Sequence, residues 1–151
     1  MKILMVCLGN ICRSPLAEGI LKSKLPEDFT VDSSGTISMH EGSAPDRRSI
    51  STAKEHGINI SHQKSRPITQ QDLVDFDKIY CMDKSNFRDV LSLTKNDDQR
   101  AKISLILESS GNTEVMEVPD PYYGGIDGFE DVFQLLDKAC DILASQLQEE
   151  A

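Results

Sequence analysis

The apolar run Ile3-Leu4-Met5-Val6 leads directly into Cys7-Leu8-Gly9-Asn10-Ile11-Cys12-Arg13-Ser14-Pro15, and no other stretch constrains the chain as tightly. A short apolar run that stops at a glycine-containing loop reads as a buried strand. The residues that follow, Leu16-Ala17-Glu18-Gly19-Ile20-Leu21, have helical spacing. Ser14 is an N-cap residue type, and Pro15 suits the first helical position, so the helix is expected to open there. The order is therefore strand, loop, helix, with Cys7 and Arg13 bracketing the loop.

Such a loop turns successive backbone N–H groups inward, with the positive end of a helix dipole behind them. That makes an anion cradle built from Leu8, Gly9, Asn10, Ile11 and Cys12. Gly9 can take positive φ without a Cβ penalty, and Asn10 is the next best residue for a left-handed position. Arg13 adds a fixed two-pronged donor for two phosphoryl oxygens. A thiol at the base of the cradle is favoured as thiolate, the nucleophilic form, and Ser14 is placed to donate a hydrogen bond to it. Taken alone, the Cys-to-Arg spacing is equally met by a tight turn holding a buried cysteine. The strand before it, Gly9-Asn10 within it and Ser14-Pro15 after it favour the cradle.

One domain over residues 1–151 is expected from length. No apolar run reaches membrane-span length, and Met1-Lys2-Ile3 enters a strand without a signal-peptide cleavage pattern. The four cysteines show no C-x-x-C pair and no zinc spacing, which points to a reduced, cytoplasmic protein without a metal or other cofactor. The net charge of −9 argues against nucleic-acid binding, so any anion site must be locally positive on an acidic background.

Strand-like stretches fall at 2–6, 29–33, 78–82 and 102–107. Helical patterns lie between them: Leu16 to Leu25, a segment after Pro45 closed by Gly57, one opening at Thr69 with Asp72, and one over 85–93. The clearest is last, where Phe129, Val132, Phe133, Leu136, Cys140, Leu143 and Leu147 keep helical period. The alternation predicts an α/β fold, a three-layer αβα arrangement with a central, mostly four-stranded parallel sheet and helices on both faces. Ligands of such sheets bind beyond the carboxyl ends of the strands, where the Cys7 loop falls.

The segment from Cys7 to Pro15 resembles the active-site loop of the low-molecular-weight protein tyrosine phosphatases. The likeness continues at Asp32-Ser33-Ser34-Gly35, at Phe76 to Asn86 and at Asp120-Pro121-Tyr122-Tyr123-Gly124, in the family's order over nearly the whole chain. It implies a phosphomonoesterase acting on phosphotyrosine in proteins and on small aryl phosphates through a cysteinyl-phosphate. Cys7 is then the nucleophile, Arg13 the transition-state donor and Asp120 the general acid. Read by itself, Asp120-Pro121 is an ordinary surface turn, but a departing phenolate needs a proton that a carboxylic acid on a loop can supply. Tyr122 and Tyr123 resemble the aromatic wall against which a substrate ring packs, and also family tyrosines that are themselves phosphorylated.

Further roles follow from the resemblance alone. Cys12 corresponds to the residue that traps an oxidised nucleophile as a disulfide, although a small buried side chain would read the same way. Cys81 and Cys140 fall in core patterns and read as packing. Ser34, His62 and Asn10 match a network behind the loop, with Asp83 the acidic partner for the histidine. Met39 stands where many members carry Trp, and it would line the ring pocket less rigidly. Relatives acting on phosphoarginine usually have Thr at the position of Ile11, which favours the tyrosine reading. The alternatives are a thiol-linked arsenate reductase, a phosphoarginine phosphatase or a non-catalytic phosphate-binding module. The expected partners are phosphotyrosine proteins, with no nucleic acid and no membrane, and the chain is expected as a monomer or weak homodimer.

Overall fold

Ile3, Leu4, Met5 and Val6 are fully buried in β1 (Lys2–Cys7) of the computed structural model, which describes residues 1–112 and 114–151. Strand β1 is an inner strand of a four-stranded sheet ordered β2 (Thr30–Gly35), β1, β3 (Lys78–Cys81), β4 (Ile103–Leu105), with every pairing parallel. Side chains alternate across a strand, so β1 feeds two cores. Ile3, Met5 and Cys7 pack with α1 (Arg13–Lys24), α2 (Arg47–Glu55) and the long α7 (Ile126–Glu150). Leu4 and Val6 pack with α3 (Gln70–Asp75) and α4 (Lys84–Leu93). A strand buried on both faces reads as an unbroken apolar run, and Ile3 to Val6 is one.

The three-layer α/β arrangement is the one expected. Strand β1 is flanked by the strands that follow it on opposite sides, so the chain reverses its winding at the carboxyl end of β1. A crevice opens at such a switch point, and the Cys7 loop lies there. Helix termini follow local chemistry. Thr69 and Asp72 close a reciprocal capping box on α3, Asp46 accepts from Arg48 N–H at the start of α2, and Gly57 after α2 takes φ +79. All seven apolar residues expected on the inner face of the last helix are buried in α7.

Three local expectations fail. Ile106 and Leu107, expected in a strand, start α6 (Ile106–Ser109) instead; both are buried, and a short apolar run cannot separate strand from buried helix. Helix α5 (Asp97–Ala101) was not foreseen, because it lacks an apolar stripe. Its signal was Asn96, whose side chain accepts from Gln99 N–H at 2.8 Å. Helix α1 begins at Arg13, so Ser14 lies inside its first turn rather than at the N-cap, and the residue at the cap, Cys12, makes no side-chain cap. Pro15 is tolerated because no N–H of a first turn has an intrahelical partner.

Candidate active site

Freed from capping, Ser14 turns its hydroxyl to the nucleophile candidate, with Oγ 3.0 Å from Cys7 Sγ. The surrounding bonds favour Ser14 as its donor. The backbone N–H of Arg66 donates to Asn10 Oδ1 at 3.1 Å, which fixes the orientation of the Asn10 amide. Asn10 Nδ2 must then donate, and it does so to Ser14 Oγ at 2.8 Å and to Ser33 Oγ at 3.0 Å. Ser14 then has its proton for Cys7 Sγ at 3.0 Å, the nearer acceptor, with Ser34 O farther off at 3.5 Å, and Ser33 gives its proton to Glu18 Oε1 at 2.7 Å. Every member of this chain of bonds is buried except Arg66, whose guanidinium is held between Asp72 and Asp32.

The loop itself is pinned by its carbonyls. Those of Cys7, Leu8 and Ile11 accept from the N–H groups of Thr36, Ile37 and Asp46 at 3.0, 3.1 and 2.7 Å. Gly9 O accepts from Ser65 Oγ at 2.9 Å, and Cys12 O from Ser49 Oγ at 3.4 Å. With the carbonyls held outward, none of the N–H groups of residues 8–12 donates to an acceptor among the described residues. They are available to an anion above Cys7. Gly35 ends β2 directly beneath the loop, where a Cβ would lie 2.7 Å from Leu8 O, so the Ser34-Gly35 step needs its glycine for close approach.

Arg13 is buried and anchored on one nitrogen. Nη1 donates to Asp83 Oδ2 at 2.7 Å and to Val118 O at 3.0 Å, while Nη2 lies 3.8 Å from Asp120 Oδ2. Burial opposes its charge, but Cys7, Asp83 and Asp120 outweigh burial and raise its pKa. Asp120 is partly exposed and fixes its own turn, Oδ1 accepting from Tyr122 N–H at 3.0 Å. Cys7, Leu8, Gly9, Ile11, Cys12, Arg13, Met39, Asp120, Tyr122 and Tyr123 line one cleft. The two tyrosines meet edge to face with ring centroids 5.0 Å apart, and Tyr123 and Met39 are 93% and 76% exposed, so both stand as a free rim. The Cys12 thiol is pushed up to about 12, by burial first and then by Asp46 and Cys7. Among the described residues all four cysteines are free thiols, and Cys81 and Cys140 sit in the two cores.

The network behind the loop differs from expectation at three positions. Its serine hydroxyl is that of Ser33, not Ser34, which reaches the network only through its carbonyl, 3.5 Å from Ser14 Oγ. Ser33 pairs with Met5 and shares the face of α1, whereas Ser34 pairs with Val6, and its Oγ is buried without a partner among the described residues. One step along a strand reverses the face, so Ser33 and not Ser34 turns its hydroxyl toward Asn10 and Glu18. His62 does not join the network: it is exposed in a shallow depression beside Glu18, Gly19 and Lys22. Asp83 partners Arg13 rather than a histidine, and its other oxygen caps α4 through Asn86 N–H. Sequence reasoning also missed Glu18, Arg66, Ile37 and His40. The last two line the cleft, and the signal for Glu18 was a lone carboxylate on the buried face of an apolar helix.

Comparison with known proteins decides the family. Residues 2–151 match the model for low molecular weight phosphotyrosine protein phosphatase. The chain belongs to that family. It is 42% identical over 147 residues to the low molecular weight phosphotyrosine protein phosphatase of Homo sapiens, covering 91% of this chain and 90% of that one. A protein tyrosine phosphatase from Entamoeba histolytica, with Hepes in its active site, superposes with a TM-score of 0.93 at 39% identity, over 99% of this chain and 98% of that one. An arginine phosphatase of Drosophila superposes with a TM-score of 0.91 at 33% identity, over 98% of both chains.

Proposed function

We propose that this phosphatase hydrolyses phosphotyrosine in proteins, and small aryl phosphates, in two steps through Cys7. The supporting observation is the convergence on one cleft of Cys7 with a fixed donor from Ser14, undonated amides of residues 8–12, the anchored Arg13 and the carboxyl of Asp120. In the first step Cys7 Sγ attacks phosphorus in line, the S–P bond forms and the P–O bond to the phenol breaks. Arg13 and the loop amides hold the three equatorial oxygens, and Asp120 gives its proton to the leaving oxygen. In the second step Asp120, now a carboxylate, takes a proton from water as that water attacks phosphorus. The S–P bond breaks, and inorganic phosphate leaves with Cys7 restored as thiolate.

The substrate ring lies between Tyr122, Tyr123 and Met39, which supply apolar area and π-faces. Cys12, protonated at neutral pH, serves as resolving thiol for an oxidised Cys7. The protein acts in the cytoplasm as a monomer or weak homodimer; among the described residues no helix is long and apolar enough to cross a membrane. Phosphoarginine is the second substrate to assay, given the likeness to the Drosophila arginine phosphatase. Ile11 in the cradle favours tyrosine.

Cys7→Ser is the test. It should abolish turnover of phosphotyrosine while phosphate or vanadate still binds, since the amides and Arg13 remain and only the nucleophile is lost. Substantial residual hydrolysis would refute the covalent route. Faster turnover of phosphoarginine than of phosphotyrosine by the wild type would reassign the substrate.

A further inference from the structure

Arg48, in the first turn of α2, lies outside the Cys7 loop but grips the Tyr122–Gly124 side of the cleft and reaches the loop through Asp46. Its Nη1 donates to Gly124 O and its Nη2 to Tyr122 O, each at 2.9 Å. On its other edge Nε and Nη2 donate to Asp46 Oδ1 and Oδ2, each at 3.1 Å. Four of the guanidinium's five N–H bonds are thus engaged. Its carbon sits 4.5 Å from the centroid of the Phe129 ring, which fixes the plane of the group. Asp46 in turn donates its backbone N–H to Ile11 O in the cradle at 2.7 Å.

The segment that Arg48 grips has two other anchors, the buried Pro121 and the 3.8 Å approach of Arg13 Nη2 to Asp120 Oδ2. Residues 119–125 join Val118, held at Met82 O, to the start of α7. Internal bonds, Tyr122 N–H to Asp120 Oδ1 and Gly124 N–H to Pro121 O, shape it as a turn. Among the described residues, the other hydrogen bond leaving 119–125 runs from Gly128 N–H to Gly125 O at the start of α7, so the two bonds from Arg48 are the ones that tie the turn to the cradle side of the cleft. A planar fork suits two carbonyls on one edge and a carboxylate on the next, whereas an ammonium does not.

We infer that Arg48 is a positioning residue for the general acid, locking the Asp120 turn to the cradle through Asp46 so that the carboxyl stands over the leaving oxygen. The inference rests on the reading of Asp120 as that acid. Arg48 touches neither phosphate nor sulfur, so its removal should leave the cradle intact and weaken only proton delivery.

The experiment compares Arg48→Ala, Arg48→Lys, Asp120→Asn and Arg48→Ala/Asp120→Asn on phosphotyrosine and on an activated nitrophenyl phosphate, with inhibition by inorganic phosphate as the cradle readout. Thermal melts identify any variant that fails to fold, and Arg48→Lys carries the test if Arg48→Ala does. Both Arg48 variants should lose roughly 10- to 100-fold in kcat/KM on phosphotyrosine, the scale of a misplaced catalytic group. They should lose clearly less on the nitrophenyl ester, with phosphate inhibition unchanged. In the Asp120→Asn background, Arg48→Ala should cost little more, because its effect passes through a group already disabled. Equal losses on both esters, weakened phosphate inhibition of the same size, full restoration by Arg48→Lys, or multiplying effects in the double variant would each overturn the proposal while leaving Asp120 as the acid. An Asp120→Asn variant with no leaving-group-dependent loss would overturn the acid assignment, and the proposal with it.

Discussion

Glu18, at the end of the chain of bonds behind the loop, offers a direct energetic test of its burial. It is 6% exposed on α1 and accepts from Ser33 Oγ at 2.7 Å. Burial pushes its carboxyl from the ordinary 4.5 up to about 7, against the lowering effect of the Ser33 bond; Asp32 adds to the rise, and Lys22 and Arg66 oppose it. A folded-state value above the unfolded one means that the folded protein binds this proton more tightly. The stabilisation is therefore complete below about pH 4.5 and is lost as pH rises through about 7. At 1.36 kcal/mol for each pH unit, the displacement from 4.5 to about 7 is worth on the order of 3 kcal/mol. Glu18→Gln keeps an oxygen for Ser33 and removes the ionisation. Denaturant unfolding of wild type and variant at about pH 4 and about pH 8 isolates the residue, because every other titration cancels in the difference. The variant's stability relative to wild type should improve by about 3 kcal/mol from the acidic to the alkaline condition. A difference equal at both pH values would show that Glu18 titrates normally, and that burial does not hold its carboxyl protonated.

Two further substitutions probe the cleft. Arg13→Lys cannot hold Asp83 and Val118 O with one nitrogen and face phosphate with another; kcat should fall at least about 100-fold, the scale of one lost transition-state donor, and steady-state rates within a few-fold of wild type would displace Arg13 from the cradle. Met39→Trp, on an exposed rim position, should lower KM for aryl phosphates by a few-fold and leave alkyl phosphates unchanged, and equal shifts on both classes would remove Met39 from the substrate's path.

Much of the fold was legible in the sequence because β1 and α7 carry unambiguous patterns: an unbroken buried run in one, a long apolar stripe in the other. Where the pattern was short, as at Ile106-Leu107, apolarity reported burial without geometry. The positions of Cys7, Arg13 and Asp120 could be anticipated from loop chemistry and family likeness, as could Ser14 beside the sulfur and the presence of Asp83 behind the loop, whereas the partner of Asp83 and the places of Arg48 and Arg66 could not. Arg48, Arg66 and Asp83 act through backbone carbonyls, a backbone N–H and a partner 70 residues away along the chain, none of which leaves a periodic trace. Ser33 and Ser34 are chemically identical, and only the pairing of Ser33 with Met5 separates them.

The left-handed residue of the loop makes the same point energetically. Sequence pointed to Gly9 first and Asn10 second, yet Asn10 takes φ +57 and Gly9 is not among the positive-φ glycines. Gly9 is small for another reason: a Cβ there would lie 3.1 Å from His40 Cδ2 at the wall of the cleft. A left-handed residue with a Cβ costs roughly 1–2 kcal/mol. Asn10 offsets that with three side-chain hydrogen bonds, to Ser14, Ser33 and Arg66 N–H, each contributing about 1 kcal/mol. Glycine at that position would relieve the backbone and lose all three. The amide that fixes the serine protons would be gone, and with it the reason that Ser14 must donate to sulfur. Strain at Asn10 is therefore offset by a side chain that accepts from Arg66 N–H and donates to both serines.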